Sequence, residues 1–148
     1  MREALEEAEQ TNVELRDLAH GLLPATLKHG GLRAAVRALA SRTPVDVELD
    51  VGVKRLTAPI EATAYFVLAE ALTNVAKHAR ATSAAVRARA EDGTLHLEVR
   101  DDGVGGARPE GGGFVGLADR LAAIDGQLRV DSPAGRGTLV AATIPLAG

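Results

Sequence analysis

The sequence predicts an α+β domain: a two-layer α/β sandwich in which a mixed, mostly antiparallel sheet packs against helices. Three observations carry this. Several short segments alternate apolar and polar residues with a period of two, as half-buried strands do. Two longer segments carry apolar residues at helical spacing. Successive strand segments are joined by tight turns, which demand antiparallel pairing, so a doubly wound parallel sheet is excluded.

The elements follow in order. Over 2–22, Leu5, Ala8, Asn12, Leu15, Ala19 and Leu22 recur at alternating steps of three and four. This is either an amphipathic helix packed on its own domain or the end of a dimerising helix, with Asn12 at a register-setting position. Gly21 and Pro24 end or bend it. Leu27, Leu32, Ala35, Val36 and Leu39 predict a short helix over 31–42, stopped by Thr43-Pro44. Residues 45–51 alternate strictly, with Val45, Val47, Leu49 and Val51 against Asp46, Glu48 and Asp50. After a connector, Pro59 suits the first turn of a long helix to about His78, because a first-turn residue needs no helical N–H partner. Its apolar side is Ile60, Ala64, Val67, Leu68, Ala71, Leu72 and Val75.

Strands are expected at 82–90, with Ala84, Val86, Ala88 and Ala90 inward, and at 94–101, with Leu95, Leu97 and Val99 inward. Glu91-Asp92-Gly93 joins them as a hairpin. Residues 102–113 hold Gly103, Gly105, Gly106, Gly111, Gly112 and Gly113, a density that points to close backbone approach to a ligand. A helix is expected over 115–125. Strands at 127–131 and 137–144 close the chain around the turn Ser132-Pro133-Ala134-Gly135.

Composition narrows the chemistry. The 148 residues suit one domain, or one domain with an extension. There is no cysteine, so disulfides, thiolate metal sites and cysteine nucleophiles are ruled out. Seventeen Lys and Arg against twenty Asp and Glu give a net charge of −3, no footprint for bulk nucleic-acid binding. Tyr65, Phe66 and Phe114 are the only aromatics, too few for a base-stacking platform. No apolar run reaches the roughly 18 residues a membrane span needs, and MREALEEAEQ has no apolar core of a signal peptide.

Four segments carry the chemistry. Glu70, Asn74, Lys77 and His78 share one face of the long helix, at steps of four, three and one. A carboxylate, an amide, an ammonium and an imidazole there reach one place, unless the face is simply solvated. Glu and Asn oxygens suit a hard cation that a polyphosphate already ligates, and a lysine neutralises phosphate charge. Asp101-Asp102-Gly103-Val104-Gly105-Gly106 sits at a strand end, where a carboxylate can accept from a base amine. Gly111-Gly112-Gly113-Phe114-Val115-Gly116-Leu117 runs into a helix and offers free amides to phosphate. It is neither a Walker A loop nor a dinucleotide fingerprint, having no Gly-Lys-Ser/Thr and no parallel βαβ setting. Gly135-Arg136-Gly137-Thr138 opens the last strand.

In order and spacing these segments resemble the N, G1, G2 and final glycine boxes of the Bergerat-type ATP-binding domain, over about residues 31–146. Within that superfamily the chain is most similar to the catalytic domain of sensor histidine kinases paired with response regulators of the LuxR-type helix-turn-helix class. Glu14 to Leu27, followed by Gly31-Leu32, resembles their segment joining the dimerisation helices to this domain.

The resemblance implies a division into 1–28, the end of the dimerisation region and linker, and 29–148, the catalytic and ATP-binding domain. It implies ATP and Mg²⁺ as ligands. Asp101 would receive the adenine amino group, and Asn74 would ligate Mg²⁺ with Glu70 beside it. Glu70 would polarise the attacking group or act as base, and Lys77 or His78 would contact phosphate. Gly103 and Gly105 would shape the nucleotide floor, with Asp102 standing where many relatives have Asn. Gly113, Gly116 and Leu117 would close the lid, a short one over about 106–113, and Gly137 and Thr138 would support the adenine end.

The phosphoacceptor histidine is expected on a dimerisation region outside this chain. His20-Gly-Leu-Leu-Pro24 imitates a His-x-x-x-Pro spacing but lacks the acidic neighbour and the second helix of a bundle. The implied whole is a homodimer facing the cytoplasm, anchored in the membrane in many relatives, with a response regulator as partner and no direct contact with nucleic acid. Two rival readings are an anti-sigma-factor-type serine kinase, which shares the ATP site, and a nucleotide-binding dimerisation module whose catalysis has lapsed.

Overall fold

The structure, a computed structural model, describes residues 24–78, 80–106 and 113–146. The helix expected over 2–22, His20, and Gly111 and Gly112 lie outside the described residues. In chain order the elements are α1 (Ala25–Arg42), β1 (Asp46–Val51), α2 (Ala58–His78), β2 (Ser83–Glu91), β3 (Thr94–Asp101), α3 (Gly113–Ala122), β4 (Gln127–Asp131) and β5 (Thr138–Pro145).

The five strands lie in the order β1-β2-β3-β5-β4. β1 and β2 pair in parallel through the α2 crossover, and every other pair is antiparallel. The mixed sheet and two-layer sandwich expected from the alternation are therefore present. Asp92 and Gly93 both have positive φ, 49° and 77°, as a two-residue turn of the hairpin type requires.

The helices cover one face of the sheet. Val86, Ala88, Leu95, Leu97, Val99, Val140, Ala142 and Ile144 point under α2 and are each almost wholly buried. Val67, Leu68, Ala71 and Leu72 meet them from the helix side. Each such Leu or Val contributes on the order of 1.5–3 kcal/mol by leaving water. With so few aromatics, this interdigitation of aliphatic side chains is the core. The opposite face stays in solvent and carries cross-strand charges, such as Asp50 beside Arg89 at 2.8 Å and Arg87 at 3.7 Å. Exposed pairs of this kind add little stability.

Three expectations shift. α1 begins at Ala25, not residue 31, because Gly31 leaves the helical region and two helical pieces meet there. α1 thus crosses the boundary expected at residues 28 and 29, and Leu27 is buried in the core beside Leu32. α3 starts at Gly113 and ends at Ala122, earlier at both ends than the expected 115–125. The turn that follows is closed by Gly126 N–H donating to the Leu121 carbonyl at 2.7 Å. Ala90 is exposed; it lies past Ala88, the last β2 residue paired with β1.

Candidate functional site

The pieces of the site converge at one end of the sandwich, and the connectivity makes them do so. α2 runs toward this end and reaches β2 through a short connection. Ala84, at the start of β2, pairs with Asp101, the last residue of β3. Asp101 pairs on its other side with Thr138, the first residue of β5. The β4–β5 turn therefore lies at this end as well. From Asp101 the described chain runs on to Gly106 at this same end, and α3 starts at Gly113. Each of the four sequence segments contributes to this end.

Asp101 is buried, 8% exposed, at the mouth of the sheet. Its Oδ1 accepts the N–H of Gly103 at 2.8 Å, an Asx-type turn that fixes the carboxylate plane. Among the described residues none donates to Oδ2. Thr138, its cross-strand partner, shares a 2.6 Å hydrogen bond between its Oγ1 and Ser132 Oγ.

The glycines here serve close backbone packing. Gly135 N–H donates to the Val104 carbonyl at 2.6 Å, and Gly106 N–H to the Ser132 carbonyl at 2.8 Å. The loop after Asp101 is thus laid across the β4–β5 turn. Gly105 and Gly137 have φ of 68° and 75°, and a Cβ on either would overlap a carbonyl oxygen, of Pro133 for the first and of Asp101 for the second. Both reasons restrict these positions to glycine. Two glycine boxes some thirty residues apart in sequence are in fact one knot that holds Asp101.

Asp102 turns the other way. Its Oδ1 accepts from the backbone N–H of Thr82 at 2.8 Å and of Ser83 at 3.1 Å. Its Oδ2 accepts from their hydroxyls, at 2.6 Å and 3.1 Å. The Thr82 hydroxyl above all, then the two backbone N–H groups, hold its carboxyl well below the usual carboxylate range. This side chain, expected at the nucleotide, instead ties the end of β3 to the residues entering β2. A carboxyl lowered in the folded state adds stability above its unfolded pKa, near 4, and loses it as pH falls further. Asp102→Ala should therefore lower the thermal midpoint at neutral pH. The gap to wild type should hold from neutral pH down to about 5 and narrow as pH falls from there toward 2. A gap constant across that range, followed by thermal unfolding, would show that the carboxylate charge is not what matters.

On α2, Glu70 is buried at 8% exposure, Asn74 is half-buried and Lys77 is exposed. They rise in that order toward the site end of the helix. His78 ends the helix, and its side chain lies outside the described residues. Phe66, one turn before Glu70, carries the Arg120 guanidinium on its ring at 4.2 Å. This cation–π contact fastens α3 against the face of α2 that bears Glu70 and Asn74. On α3, Phe114 and Leu117 are buried, while Val115 and Gly116 face outward. Leu117 sits with the core. Glu70 and Asn74, one turn apart, present oxygen donors of the kind Mg²⁺ takes alongside phosphate oxygens.

The sequence had not singled out Thr82, Ser83, Ser132, Arg120 or the pair Arg55 and Glu61. For Glu61 a signal existed: a carboxylate between Ile60 and Ala64 on an apolar helix side requires a partner.

Residues 60–148 match the family described as histidine kinase-, DNA gyrase B- and HSP90-like ATPases. The chain belongs to this family. Among curated relatives, the sensor histidine kinase NarS of Mycobacterium tuberculosis is 35% identical over 156 residues, covering 97% of this chain and 36% of that protein. The oxygen sensor histidine kinase NreB of Staphylococcus carnosus is 30% identical over 144 residues, covering 90% of this chain and 42% of its own length. The chain thus spans well under half of the length of these relatives. Among solved structures, the histidine kinase domain of the blue-light activated histidine kinase from Erythrobacter litoralis superposes with a TM-score of 0.66 at 25% identity, covering 79% of this chain and 60% of that one.

Proposed function

We propose that this chain is the ATP-binding catalytic domain of a sensor histidine kinase, passing the γ-phosphate of ATP to a histidine on a dimerisation domain. The observation that carries this reading is the placement of Asp101. It is a buried carboxylate with one oxygen fixed by Gly103 and the other open, at the same end as the Glu70–Asn74–Lys77 face. A carboxylate so held accepts from the amino group of adenine and has nothing to offer the carbonyl of guanine. The face on α2 receives the triphosphate. Mg²⁺ held by Asn74 and Glu70 would offset charge on the β- and γ-phosphates. Lys77, exposed near the open end of α2, or His78, the last residue of that helix, would contact phosphate.

In the transfer, a histidine nitrogen bonds to the γ-phosphorus while the bond to the β–γ bridging oxygen breaks and ADP leaves. Glu70 polarises the attacking imidazole or takes its proton. Positioning and charge compensation do the rest, because a loose phosphoryl transition state needs little covalent help. Gly103, Gly105 and Gly137 form the floor and knot under the base, Thr138 stands beside Asp101, and Gly113 and Gly116 meet phosphate at the start of α3. Asp102 holds the floor in place from beneath. Of the expected division into 1–28 and 29–148, residues before α1 would belong to the end of the dimerisation region and its linker, and the catalytic domain would begin with α1, whose Leu27 lies in its core. The full-length partner is a response regulator, of the LuxR-type helix-turn-helix class, and the domain faces the cytoplasm.

The test is calorimetric titration with ATP and GTP, with and without Mg²⁺, followed by phosphotransfer to a separately supplied dimerisation segment. The expected result is saturable, adenine-selective binding and an acid-labile phosphohistidine. Acid-stable phosphoserine on a protein substrate would favour the anti-sigma type of kinase. Binding without any transfer would favour a lapsed module. No binding at millimolar nucleotide would overturn the reading.

A further inference from the structure

We infer that Gly31, Arg55 and Glu61 form a fixed joint that sets the orientation of the ATP-binding domain on the chain entering it, and that Arg55 is its positioning residue. The inference rests on the kinase reading above. It starts from a buried charge. Glu61, in the first turn of α2, is 4% exposed. Burying a carboxylate is costly unless it is paired and hydrogen-bonded. Arg55, on the connector between β1 and α2, supplies the pair through a two-pronged contact. Its Nε donates to Glu61 Oε2 at 3.1 Å and its Nη2 to Oε1 at 3.3 Å. The Leu56 N–H donates to Oε2 as well, at 3.1 Å.

The same guanidinium reaches in the opposite direction. Nη2 donates to the Lys28 carbonyl at 3.2 Å and Nη1 to the His29 carbonyl at 3.3 Å. These carbonyls are orphaned because the helix breaks at Gly31, and a helix end needs such partners. Gly31 has φ 79° and ψ −170°, a region essentially reserved for glycine. A Cβ there would also lie 2.6 Å from Arg55 Cδ. Glycine is therefore required twice over, by the backbone and by the arginine stem laid against it. Leu27 and Leu32, on either side of the break, are both 2% exposed and seated in the core.

A flexible tether would show none of this. One planar cation holds the last turn before the break, the connector and the first turn of α2. α2 is the helix that carries Glu70 and Asn74. The part of α1 before the break, residues 25–30, and the phosphate-binding face are thus parts of one rigid path, and a rotation of the former is delivered to the latter. Loss of the joint should leave the nucleotide pocket intact but misdirect it toward the acceptor histidine.

The test uses the full-length kinase containing this chain. Arg55→Gln and Gly31→Ala attack the joint from different sides, and Arg55→Lys keeps the charge without the fork. Both first variants should bind ATP within about twofold of wild type, while kcat for autophosphorylation falls about tenfold at saturating ATP, with Arg55→Lys in between. A second measurement needs no functional variant. The chain has no cysteine, so Lys28→Cys and Ala76→Cys place spin labels at known sites. The distance between them should be a single narrow distribution, broadened by Arg55→Gln. An unchanged kcat, a kcat that falls only in step with ATP affinity, or a broad distance in the otherwise wild-type protein would overturn the joint. Failure of the wild type itself to bind ATP would instead overturn the kinase reading.

Discussion

Asp101→Asn should weaken ATP, ADP and adenosine by the same factor, on the order of 10–100-fold, as expected for loss of a hydrogen bond to a buried charged acceptor. The common factor is the point. Asp101 lies on the sheet where β2, β3 and β5 meet, not on α2, whose face would take the phosphates, so its contact would belong to the base end of the nucleotide. The substitution is nearly isosteric, and Oδ1 can still accept from Gly103 N–H, so the knot around it should persist. The amide NH₂ would then occupy the place of Oδ2 and confront the adenine amino group, donor against donor. Selectivity should fall with affinity, because an amide donor can meet the guanine carbonyl that a carboxylate repels. Calorimetry with ATP, ADP, adenosine and GTP reads all of this. A loss confined to ATP, or none, would remove Asp101 from the base site.

The knot also shows what the sequence did and did not make legible. Asp101 could be singled out as a candidate because a carboxylate at the end of an alternating strand, followed by glycines, can accept from a base amine, although an Asp-Gly surface turn reads the same way. The strand pattern itself, and the common face of Glu70, Asn74 and Lys77, follow from periodicities of two and 3.6. The pairing of Gly105 with the β4–β5 turn was not visible. It depends on β3 and β5 lying side by side, a contact between segments far apart in sequence that no local spacing encodes. Asp102 misled for a related reason. Next to a site carboxylate in sequence, it sits on the opposite face of the strand end, and its partners Thr82 and Ser83 become neighbours only through the β2–β3 register. The break at Gly31 escaped because the apolar spacing from Leu32 onward is helical on its own, and the preceding turn is fixed by Arg55, a residue of another element.

Asn74→Ala should separate metal-dependent from metal-independent affinity. Wild type is expected to bind ATP more tightly with Mg²⁺ than without. The variant should lose most of that difference, on the order of 10–100-fold, while its metal-free affinity changes little. The reasoning is positional. Asn74 is half-buried one turn beyond Glu70, on a helix whose opposite side is packed against the sheet, so it shares the face that carries Glu70. An amide oxygen is a weak ligand alone and a useful one beside phosphate oxygens, which is why the effect requires both metal and triphosphate. ADP with Mg²⁺ should show a smaller loss, and adenosine none. That graded pattern contrasts with the one expected for Asp101→Asn, where all three fall together. The two variants therefore divide the site into a base end built on β3 and a phosphate end built on α2. An equal loss with and without metal would mean that Asn74 acts by holding the helix surface, and Glu70 would then be the carboxylate to test as the ligand.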